Sequence, residues 1–335
     1  MKILITGGAG FVGHHFVEHF IKNTNADIVV LDKLSYSSEG FDRLRDINVF
    51  NDKRVLSLAT DLTKSIPEGI EKEIGDVDYI LHLGAESHVD NSITNPEPFV
   101  INNVVGTMNI LNLARKLYER GKLKCFFYFG TDEVFGPAPI GVNYKEEDRH
   151  NPTNPYSASK SGGEMLVKAY RNTYRLPAII TRSTNIFGER QNVEKFIPMC
   201  IKNILADKEI LIHANYDKTK SGSRFYIHAR NVADGYLFLI EKIEGGNKFI
   251  VGQDYHITGD KEVYNLEMAQ FIAKVLGKEL KYRLIDFHSS RPGHDLRYSL
   301  DDSKIKELGW KSPKNFEESL KKTVEWTLEN KRWLV

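Results

Sequence analysis

Two adjacent carboxylates, Asp132 and Glu133, follow an apolar run at 126–130 that has the composition of a buried strand. Placing two acids side by side at the end of a strand is costly unless they do different work, one giving a proton and the other taking one. The pair therefore predicts acid–base chemistry in which a proton leaves one atom and a neighbouring group is protonated. A solvated pair of loop acids is the alternative.

A second pair, Tyr156 and Lys160, is separated by four positions and follows Asn154 and Pro155, which suit the start of a helix. Residues four apart on a helix lie on the same face. A nearby ammonium lowers the pKa of a phenol, so Tyr156 is expected to act as a base near neutral pH. A tyrosine and a lysine at this spacing often occur together by chance. The pair indicates a catalytic function only in combination with the motif that precedes it in the chain.

That motif consists of three glycines, Gly7, Gly10 and Gly13, between an apolar strand and an amphipathic helix. Glycines at such a turn let the backbone approach a pyrophosphate, which then meets the helix N-terminus. Asp32 ends the second strand, where a carboxylate can bind both ribose hydroxyls and repel a 2′-phosphate. The pattern predicts NAD rather than NADP. Lys33 argues weakly the other way, because a cation there could tolerate the phosphate.

The elements that must position these residues alternate between strand and helix over the first 180 residues. Apolar runs predict strands at 3–6, 28–31, 55–58, 79–83, 126–130 and 178–181, with helices notably at 12–22, 99–117 and 156–174. Continuous apolar strands in such an alternation indicate a parallel sheet covered on both faces. We therefore predict an α/β fold with a Rossmann-type, doubly wound parallel sheet.

The alternation breaks after about residue 185. Helices are expected near 194–206, 230–242, 264–276 and 315–330, with a polar surface loop at 215–223. We expect residues 1–184 to form the dinucleotide-binding domain with the catalytic residues. Residues 185–335 are expected to form a smaller mixed α/β substrate domain, interleaved with the first rather than joined to it by a linker.

Composition excludes several classes of protein. The chain has 335 residues, 41% of them hydrophobic and 27% charged, and a net charge of +1. No global field favours nucleic acid or an anionic membrane. Cys125 and Cys200 have no metal-ligand spacing and are expected to be buried thiols, so no metal is predicted. No run is long enough to span a membrane and no signal peptide is evident, so a cytoplasmic location is expected.

The combined motifs resemble the extended short-chain dehydrogenase/reductase superfamily. Within it, the segment 131–136 looks like the signature of the dTDP-glucose 4,6-dehydratase family. Segments 85–90, 194–198 and 291–298 are also similar to that family and occur in the same order. The resemblance spans nearly the whole chain.

The resemblance implies a mechanism for each catalytic residue. Tyr156 would take the proton of a sugar 4-hydroxyl while hydride leaves C4 for NAD, with Thr131 hydrogen-bonded to that hydroxyl. Glu133 would remove the C5 proton, and Asp132 would protonate the C6 hydroxyl so that water leaves. Hydride then returns to C6 and gives a 4-keto-6-deoxy sugar. Lys160 would also hold the nicotinamide ribose.

The resemblance further implies two sets of binding residues. In addition to the glycines, Asp32, Lys33, Tyr156 and Lys160, the cofactor set comprises Phe11, Val12, Asp61, Leu62, Leu83, Ala85 and Asn103. The substrate set comprises Ser87, Asn185, Glu194, Lys195, Arg224, Asn265, Arg291 and His294. Asn185 and Arg224 would bind the diphosphate, for which the planar guanidinium is well suited. Asp61 could equally be an ordinary loop acid, Arg291 a surface ion-pair residue and His294 a structural histidine.

Alternatives remain open on activity and partners. An epimerase or decarboxylase would use the same scaffold without needing Asp132 and Glu133, and a non-catalytic NAD-sensing protein would need neither Tyr156 nor Lys160. The substrate is expected to be a nucleoside-diphosphate glucose. dTDP-glucose is the default and UDP-glucose the competitor, because one methyl group carries little binding energy. The loop at 215–223 is longer than in the family and leaves the base undecided.

A homodimer is also expected by resemblance, formed by the helices predicted at 99–117 and 156–174. The first of them carries enough apolar residues for both a core and an interface: Ile101, Val104, Val105, Met108, Leu111 and Leu113. A wholly intramolecular core is the alternative.

Overall fold

The structure is a computed structural model that describes residues 1–35, 38–287 and 296–335. Its strands in chain order are β1 (Lys2–Thr6), β2 (Asp27–Asp32), β3 (Val55–Ala59), β4 (Tyr79–His82), β5 (Cys125–Thr131), β6 (Ala178–Ser183), β7 (Ile186–Phe187), β8 (Ile210–Ala214), β9 (Ser223–Phe225), β10 (Ile227–His228), β11 (Asp254–Ile257), β12 (Glu262–Tyr264) and β13 (Tyr282–Asp286). All six predicted strands are present.

Its α-helices in chain order are α1 (Phe11–Asn23), α2 (Asp42–Asp46), α3 (Glu68–Ile74), α4 (Val89–Thr94), α5 (Glu97–Val100), α6 (Gly106–Glu119), α7 (Pro155–Tyr174), α8 (Phe196–Leu205), α9 (Ala229–Glu244), α10 (Asn265–Leu276), α11 (Ser303–Glu307) and α12 (Phe316–Glu329). The predicted helices are present within a few residues. In the described parts of the chain, no helix is both long and apolar enough to cross a bilayer.

Seven strands form one parallel sheet in the order β11-β6-β5-β4-β1-β2-β3. The chain winds outward from β1 in both directions, so the order reverses between β1 and β4. In such a sheet the crevice at the carboxyl ends of the strands, next to this reversal, is where ligands bind. The predicted doubly wound α/β fold is confirmed.

Side chains alternate between the two faces of the sheet because the strand period is two. In β5, Cys125 and Phe127 pack on the face covered by α1 and α9, whereas Phe126 and Tyr128 pack on the face covered by α6 and α7. All four side chains are fully buried. Covering both faces is the physical reason that the strands are continuously apolar in sequence.

The helix predicted at 99–117 is interrupted in the structure. Between α5 and α6, residues Ile101–Val105 form a π-helical turn, which inserts a residue into the helical repeat. Such turns are uncommon and are frequent at functional sites. Asn102 and Asn103 lie in this turn, and both side chains bind groups near the carboxyl end of the sheet.

The C-terminal half contributes to both parts of the molecule. β11 adds an edge strand to the large sheet beside β6, and α9 packs on α1. The remaining elements surround a separate apolar core that includes Ile201, Ile212 and Ile272 from α8, β8 and α10. Their short strands pair as β8 with β13, β9 with β12 and β7 with β10. This smaller unit lies across the carboxyl edge of the sheet.

Candidate active site

A cavity of about 780 Å³ opens where the carboxyl ends of the parallel strands face the smaller unit. Its wall includes the glycine loop after β1, the ends of β4, β5 and β6, and residues of α8, β8 and β9. Volumes of this size are typical of ligand pockets. The location agrees with the topological rule for open parallel sheets, because the strand order reverses at this point.

The glycine loop has no room for side chains. A Cβ atom on Gly13 would lie 2.0 Å from the carbonyl oxygen of Gly7, and Gly7 itself has a φ of +69°. The helix α1 begins after Gly10, and no described side chain caps its N-terminus. The first backbone N–H groups of a helix lack partners within the helix and favour an anion. The loop therefore fits the pyrophosphate of a dinucleotide.

Asp32 lies at the end of β2 with its carboxylate oriented by two backbone donors. The N–H of Ala9 donates to Oδ2 at 3.1 Å, and the N–H of Leu34 donates to Oδ1 at 2.8 Å. Burial raises the pKa of Asp32, and these backbone bonds oppose the shift. A carboxylate accepts about four hydrogen bonds, so each oxygen can still receive a ribose hydroxyl.

Lys33, the predicted counter-argument to NAD, is already paired. Its Nζ donates to Oε1 of Glu86 at 2.6 Å and to Oδ1 of Asn102 at 2.7 Å. Lys33 and Asn102 both line the cavity. The ammonium is therefore compensated by a carboxylate of the chain.

Most of the predicted cofactor residues line the cavity, and two do not. Those in the wall are Gly7, Gly10, Phe11, Val12, Gly13, Asp32, Lys33, Leu62, Leu83, Ala85, Tyr156 and Lys160. Asp61 and Asn103 are not among the residues that line it. Asp61 is exposed and accepts hydrogen bonds from the backbone and hydroxyl of Thr63. Asn103 is buried behind the wall, where it holds the backbone of Glu86.

Asp132 and Glu133 begin a 3-10 turn that follows β5, and both line the cavity. Asp132 is 5% exposed. The Thr131 hydroxyl donates to its Oδ1 at 3.1 Å, whereas Oδ2 has no hydrogen-bond partner among the described residues. Burial, with the negative charge of Glu133 second, raises the pKa of Asp132 to about 7, and Arg224 opposes this shift. Asp132 can therefore carry a proton at neutral pH.

Glu133 lies in a more polar setting than Asp132. It is half-buried, and its Oε2 accepts a hydrogen bond from Nδ2 of Asn154 at 3.2 Å. Asn154 also caps α7 through the N–H of Ser157, so the cap and the carboxylate are fixed together. The two neighbouring acids thus differ in environment, which is the arrangement expected of a proton donor next to a proton acceptor.

Lys160 lies four residues into α7 from Tyr156, and both buried side chains line the cavity. Its Nζ donates to the carbonyl oxygen of Phe129 at 2.6 Å and lies 4.5 Å from the ring centroid of Tyr128. Burial lowers the pKa of Lys160 to about 7, with Glu164 opposing the shift. The ammonium is held against the end of β5.

Tyr156 differs from the prediction in its protonation. We expected the ammonium of Lys160 to lower the pKa of this phenol. Instead burial, and after it the negative charge of Glu133, raises the pKa of Tyr156, while a hydrogen bond with Thr131 opposes the shift. The reason is geometric, since Lys160 is engaged by a main-chain carbonyl while two carboxylates face the phenol. The protein without ligands therefore keeps Tyr156 protonated.

Residues of the smaller unit form the opposite wall. Arg224, on β9, is 5% exposed, and its Nη1 donates to the carbonyl oxygens of Ser223 at 2.7 Å and Leu296 at 2.8 Å. Its guanidinium carbon lies 4.7 Å from the ring centroid of Tyr298. Main-chain carbonyls and an aromatic face thus orient the fork of Arg224, which lines the cavity together with Asn185.

Four other predicted substrate residues also line the cavity: Ser87, Glu194, Lys195 and Asn265. The Nζ of Lys195 donates to the carbonyl oxygen of Ser87 at 3.3 Å, and Glu194 lies 3.8 Å from His88. These contacts join the loop after β4 to the start of α8 across the cavity. The last two predicted substrate residues, Arg291 and His294, lie outside the described residues.

Sequence reasoning missed part of the wall. The cavity is also lined, on the side of the smaller unit, by Leu211 and His213 of β8, Ile285 of β13 and Tyr226, and beside Lys33 by Asn102. The first four lie on or beside short strands whose partners are distant in sequence, so no local pattern marks them. Two consecutive asparagines mark positions 102 and 103 in the sequence, but only Asn103 was predicted to bind the cofactor.

Comparison with known proteins identifies the family. The model of the family described as GDP-mannose 4,6 dehydratase matches residues 4–323. A dTDP-glucose 4,6-dehydratase of Escherichia coli is 37% identical over 358 residues, covering 99% of this chain and 95% of that protein. A trifunctional enzyme of Arabidopsis thaliana, whose name begins with UDP-glucose 4,6-dehydratase, is 35% identical over 99% of this chain and 48% of its own length.

Among solved structures, DesIV, a dTDP-glucose 4,6-dehydratase from Streptomyces venezuelae with NAD and TYD bound, superposes with a TM-score of 0.87. It is 32% identical, and the match covers 99% of this chain and 98% of that one. The family model and both relatives span nearly all of this sequence, including the glycine loop and the acid–base residues. The chain belongs to the nucleotide-sugar dehydratase and epimerase family of the extended short-chain dehydrogenases/reductases.

Proposed function

We propose that the protein is an NAD-dependent 4,6-dehydratase of a nucleoside-diphosphate glucose, with dTDP-glucose as its substrate. One observation carries the proposal: Asp132, with a pKa raised to about 7, lies next to Glu133 in the same cavity wall as Tyr156 and Lys160. A proton donor and a proton acceptor side by side are what the loss of water across two adjacent carbons requires.

NAD is the cofactor that the site fits. The glycine loop suits a pyrophosphate, and the carboxylate of Asp32 suits the ribose hydroxyls. When bound, NAD would accept hydride from C4 of the sugar, return it to C6, and bring a positive charge into the cavity that favours a phenolate. Lys160, held at the end of β5, would bind the nicotinamide ribose.

Tyr156 and Thr131 would act at the 4-hydroxyl. Their mutual hydrogen bond places a phenol and an alcohol where one hydroxyl of a sugar could contact both. Tyr156 would take the hydroxyl proton as the C4 hydrogen leaves with its electron pair, giving a 4-keto sugar. The ketone makes the C5 proton acidic, which prepares the elimination.

Glu133 and Asp132 would then carry out that elimination. Glu133 takes the C5 proton, Asp132 gives its proton to the C6 hydroxyl, the C6–O bond breaks, and water leaves with a C5–C6 double bond in its place. Once hydride has been returned to C6, Glu133 would give its proton back to C5, and the proton that Tyr156 took from the 4-hydroxyl would restore Asp132. The sum is the substrate minus one water, a 4-keto-6-deoxy sugar with the cofactor regenerated.

The smaller unit would bind the nucleoside diphosphate. Arg224 is held by two carbonyl oxygens and the Tyr298 ring, so its planar guanidinium is oriented in the cavity wall, where it would pair with a diphosphate oxygen. Asn185 lines the same part of the cavity. Orienting a guanidinium in advance reduces the entropy lost when an anion binds.

Similarity to the dehydratase from E. coli, which the chain matches over nearly its whole length, supports thymine as the base. UDP-glucose is the second candidate because the plant relative carries that substrate in its name. The two bases differ by a methyl group, which is worth only about 1 kcal/mol of discrimination in an apolar pocket.

The decisive experiment is incubation of the protein with dTDP-, UDP-, CDP- and GDP-glucose, with product mass and C4 configuration followed. We expect the fastest loss of one water from dTDP-glucose, and a much slower loss in the Asp132→Asn variant. An isomeric product of unchanged mass would instead assign an epimerase and remove the basis for this proposal. Fastest turnover of UDP-glucose would keep the dehydratase and correct the base.

We also propose a homodimer joined through α6 and α7. Of the six apolar residues singled out in sequence, Leu111 and Leu113 are in the core, whereas Ile101 and Met108 are exposed together with Met165 of α7. α6 packs beside α7, so these residues form an apolar face that a second copy can cover. Met108→Glu should give a monomer in sedimentation velocity. Phe249→Glu, which changes an exposed residue elsewhere, should not.

A further inference from the structure

Lys33 is the cationic side chain that follows Asp32 directly, at the end of β2. In dinucleotide-binding folds a cation in this region can accept a 2′-phosphate, whereas the acid that ends the strand binds the 2′-hydroxyl. Lys33 lines the cavity and is 30% exposed. By sequence alone it favours tolerance of NADP, in opposition to Asp32.

Glu86 alters the balance between Asp32, which disfavours a 2′-phosphate, and Lys33, which favours it. Its Oε1 lies 2.6 Å from Nζ of Lys33, and the carboxylate is 13% exposed. The side chain comes from the loop after β4, on the other side of the reversal in strand order. Asp32, Glu86 and the ammonium of Lys33 together carry a charge of −1. Arg43, which acts on Asp32, and Asp61, on which Lys33 acts, have opposite charges and leave this sum unchanged. An entering 2′-phosphate would have to displace Glu86 from Lys33 while facing both carboxylates.

The position of Glu86 is fixed by its backbone rather than by its side chain. Asn103 accepts from the N–H of Glu86 at 2.8 Å and donates to its carbonyl oxygen at 3.0 Å. The same amide nitrogen of Asn103 donates to Oγ of Ser159 on α7 at 2.9 Å. Asn103 is almost fully buried. Its hydrogen bonds to the backbone of Glu86 and to Ser159 tie the loop after β4 to α7. Changing the carboxylate leaves that anchor in place.

The π-helical turn carries both asparagines of this arrangement. Two consecutive asparagines on a regular helix point about 100° apart. Here Asn103 binds the backbone of Glu86, and Asn102 accepts from Nζ of Lys33 at 2.7 Å. The turn that contains both residues, Ile101–Val105, thus serves both members of the ion pair. Lys33 is held by one carboxylate and one amide oxygen.

We propose that Glu86 is a specificity-determining residue that excludes 2′-phosphorylated dinucleotides by keeping the ammonium of Lys33 paired. The inference rests on the proposed function only in requiring that a dinucleotide binds; it does not depend on the dehydration chemistry. Asp32 selects the ribose hydroxyls, and Glu86 removes the cation that would otherwise compensate a phosphate. Replacing Glu86 by Gln keeps the shape and changes the local charge from −1 to 0.

The test is a competition for the binding site. The purified holoenzyme is incubated with equal concentrations of NAD and NADP until the bound ratio is constant, then desalted, and the retained nucleotides are extracted and quantified by mass spectrometry. For a partly exposed site we expect the bound NADP:NAD ratio to rise about tenfold in Glu86→Gln. The gain should disappear in Glu86→Gln/Lys33→Met. Lys33→Met alone should show no gain, because Glu86 already engages that ammonium.

Each other outcome counts against the inference. A ratio in Glu86→Gln within twofold of the unchanged protein overturns it, and so does a gain that persists without Lys33. Glu86→Ala makes the same charge change with a smaller side chain, so it serves as the second variant if Glu86→Gln does not fold, as judged from its melting temperature. If the unchanged protein retains neither nucleotide, the proposed function itself fails, and that failure is visible before any variant is compared.

Discussion

The raised pKa of Asp132 gives the elimination step a defined pH dependence. The group is expected to act as an acid, so only its protonated form is active. With a pKa of about 7, half of the molecules hold the proton at pH 7 and about one in a hundred at pH 9. The rate of water loss should therefore fall roughly fiftyfold between these values. An ordinary aspartate would be protonated in only about one molecule per thousand even at pH 7.

A second consequence follows from Arg224, whose positive charge lowers the pKa of Asp132. If a substrate diphosphate pairs with Arg224, this charge is compensated and the pKa of Asp132 rises in the complex. The alkaline limb of kcat reports the complex, whereas that of kcat/KM reports the free enzyme. As pH rises, kcat should therefore begin to fall at a higher pH than kcat/KM.

The assay follows product formation by mass and bound reduced cofactor by absorbance at 340 nm from pH 6 to pH 9. As pH rises, absorbance should build up, because oxidation at C4 continues while water loss slows. Asp132→Asn has no titrating group at this position but keeps Lys160, whose pKa is also about 7, so its residual rate of water loss should fall less steeply with pH than that of the unchanged protein. An alkaline limb in Asp132→Asn as steep as in the unchanged protein would refute the assignment of Asp132 as the acid.

Four further outcomes are expected. Asp132→Asn should stabilise the protein at pH 8 by about 2–4 kcal/mol. The pKa of Asp132 is higher in the folded protein than in the unfolded chain, so this carboxyl group lowers the free energy of unfolding as pH rises from about 4 to 7. Urea unfolding at pH 4 and pH 8 measures the difference. Glu133→Gln should abolish solvent deuterium incorporation at C5, seen by NMR, while partial oxidation at C4 remains. Arg224→Ala should raise KM at least tenfold with a smaller change in kcat, in steady-state kinetics. Gly13→Ala should lose bound nucleotide, measured after extraction, because its Cβ would lie 2.0 Å from the Gly7 carbonyl oxygen.

Each of these has a control. The stability gain of Asp132→Asn should shrink to about 0.5 kcal/mol at pH 4, where the folded form is protonated and the unfolded form is about half protonated, and an equal gain at both pH values would contradict the raised pKa. Normal dehydration by Glu133→Gln would remove its role as base. An unchanged KM in Arg224→Ala would separate that residue from the diphosphate. Gly69→Ala, at a site where a Cβ meets nothing within 4 Å, should retain its nucleotide.

Most of the large sheet could be predicted because its strands are covered on both faces and are therefore continuously apolar in sequence. β11 was not predicted. Its sequence, Asp254–Ile257, alternates polar and apolar residues and lies at the edge of the sheet, beside β6, which ended about seventy residues earlier. The π-helical turn was also missed, because a single inserted residue leaves the overall periodicity of a helix intact.

The residues that we propose as catalytic could be brought together from the sequence because their signals are local. Asp132 and Glu133 are adjacent, and Tyr156 and Lys160 lie on one helix face. The protonation states of these residues could not be predicted, since a pKa depends on burial and on charges from other elements. The sequence suggested that Lys160 lowers the pKa of Tyr156, whereas the structure engages Lys160 with the Phe129 carbonyl and turns carboxylates toward the phenol.

The sequence by itself determined the parallel sheet, the glycine loop and the pairing of Asp132 with Glu133 and of Tyr156 with Lys160, because apolar periodicity, tight backbone turns and neighbouring side chains are properties of short segments. Only the tertiary structure decided that Lys33 is paired with Glu86, that Asn103 holds a loop instead of facing the cavity, and that Arg224 lies near enough to act on Asp132. Those facts depend on distances between residues far apart in the chain, which folding alone brings together.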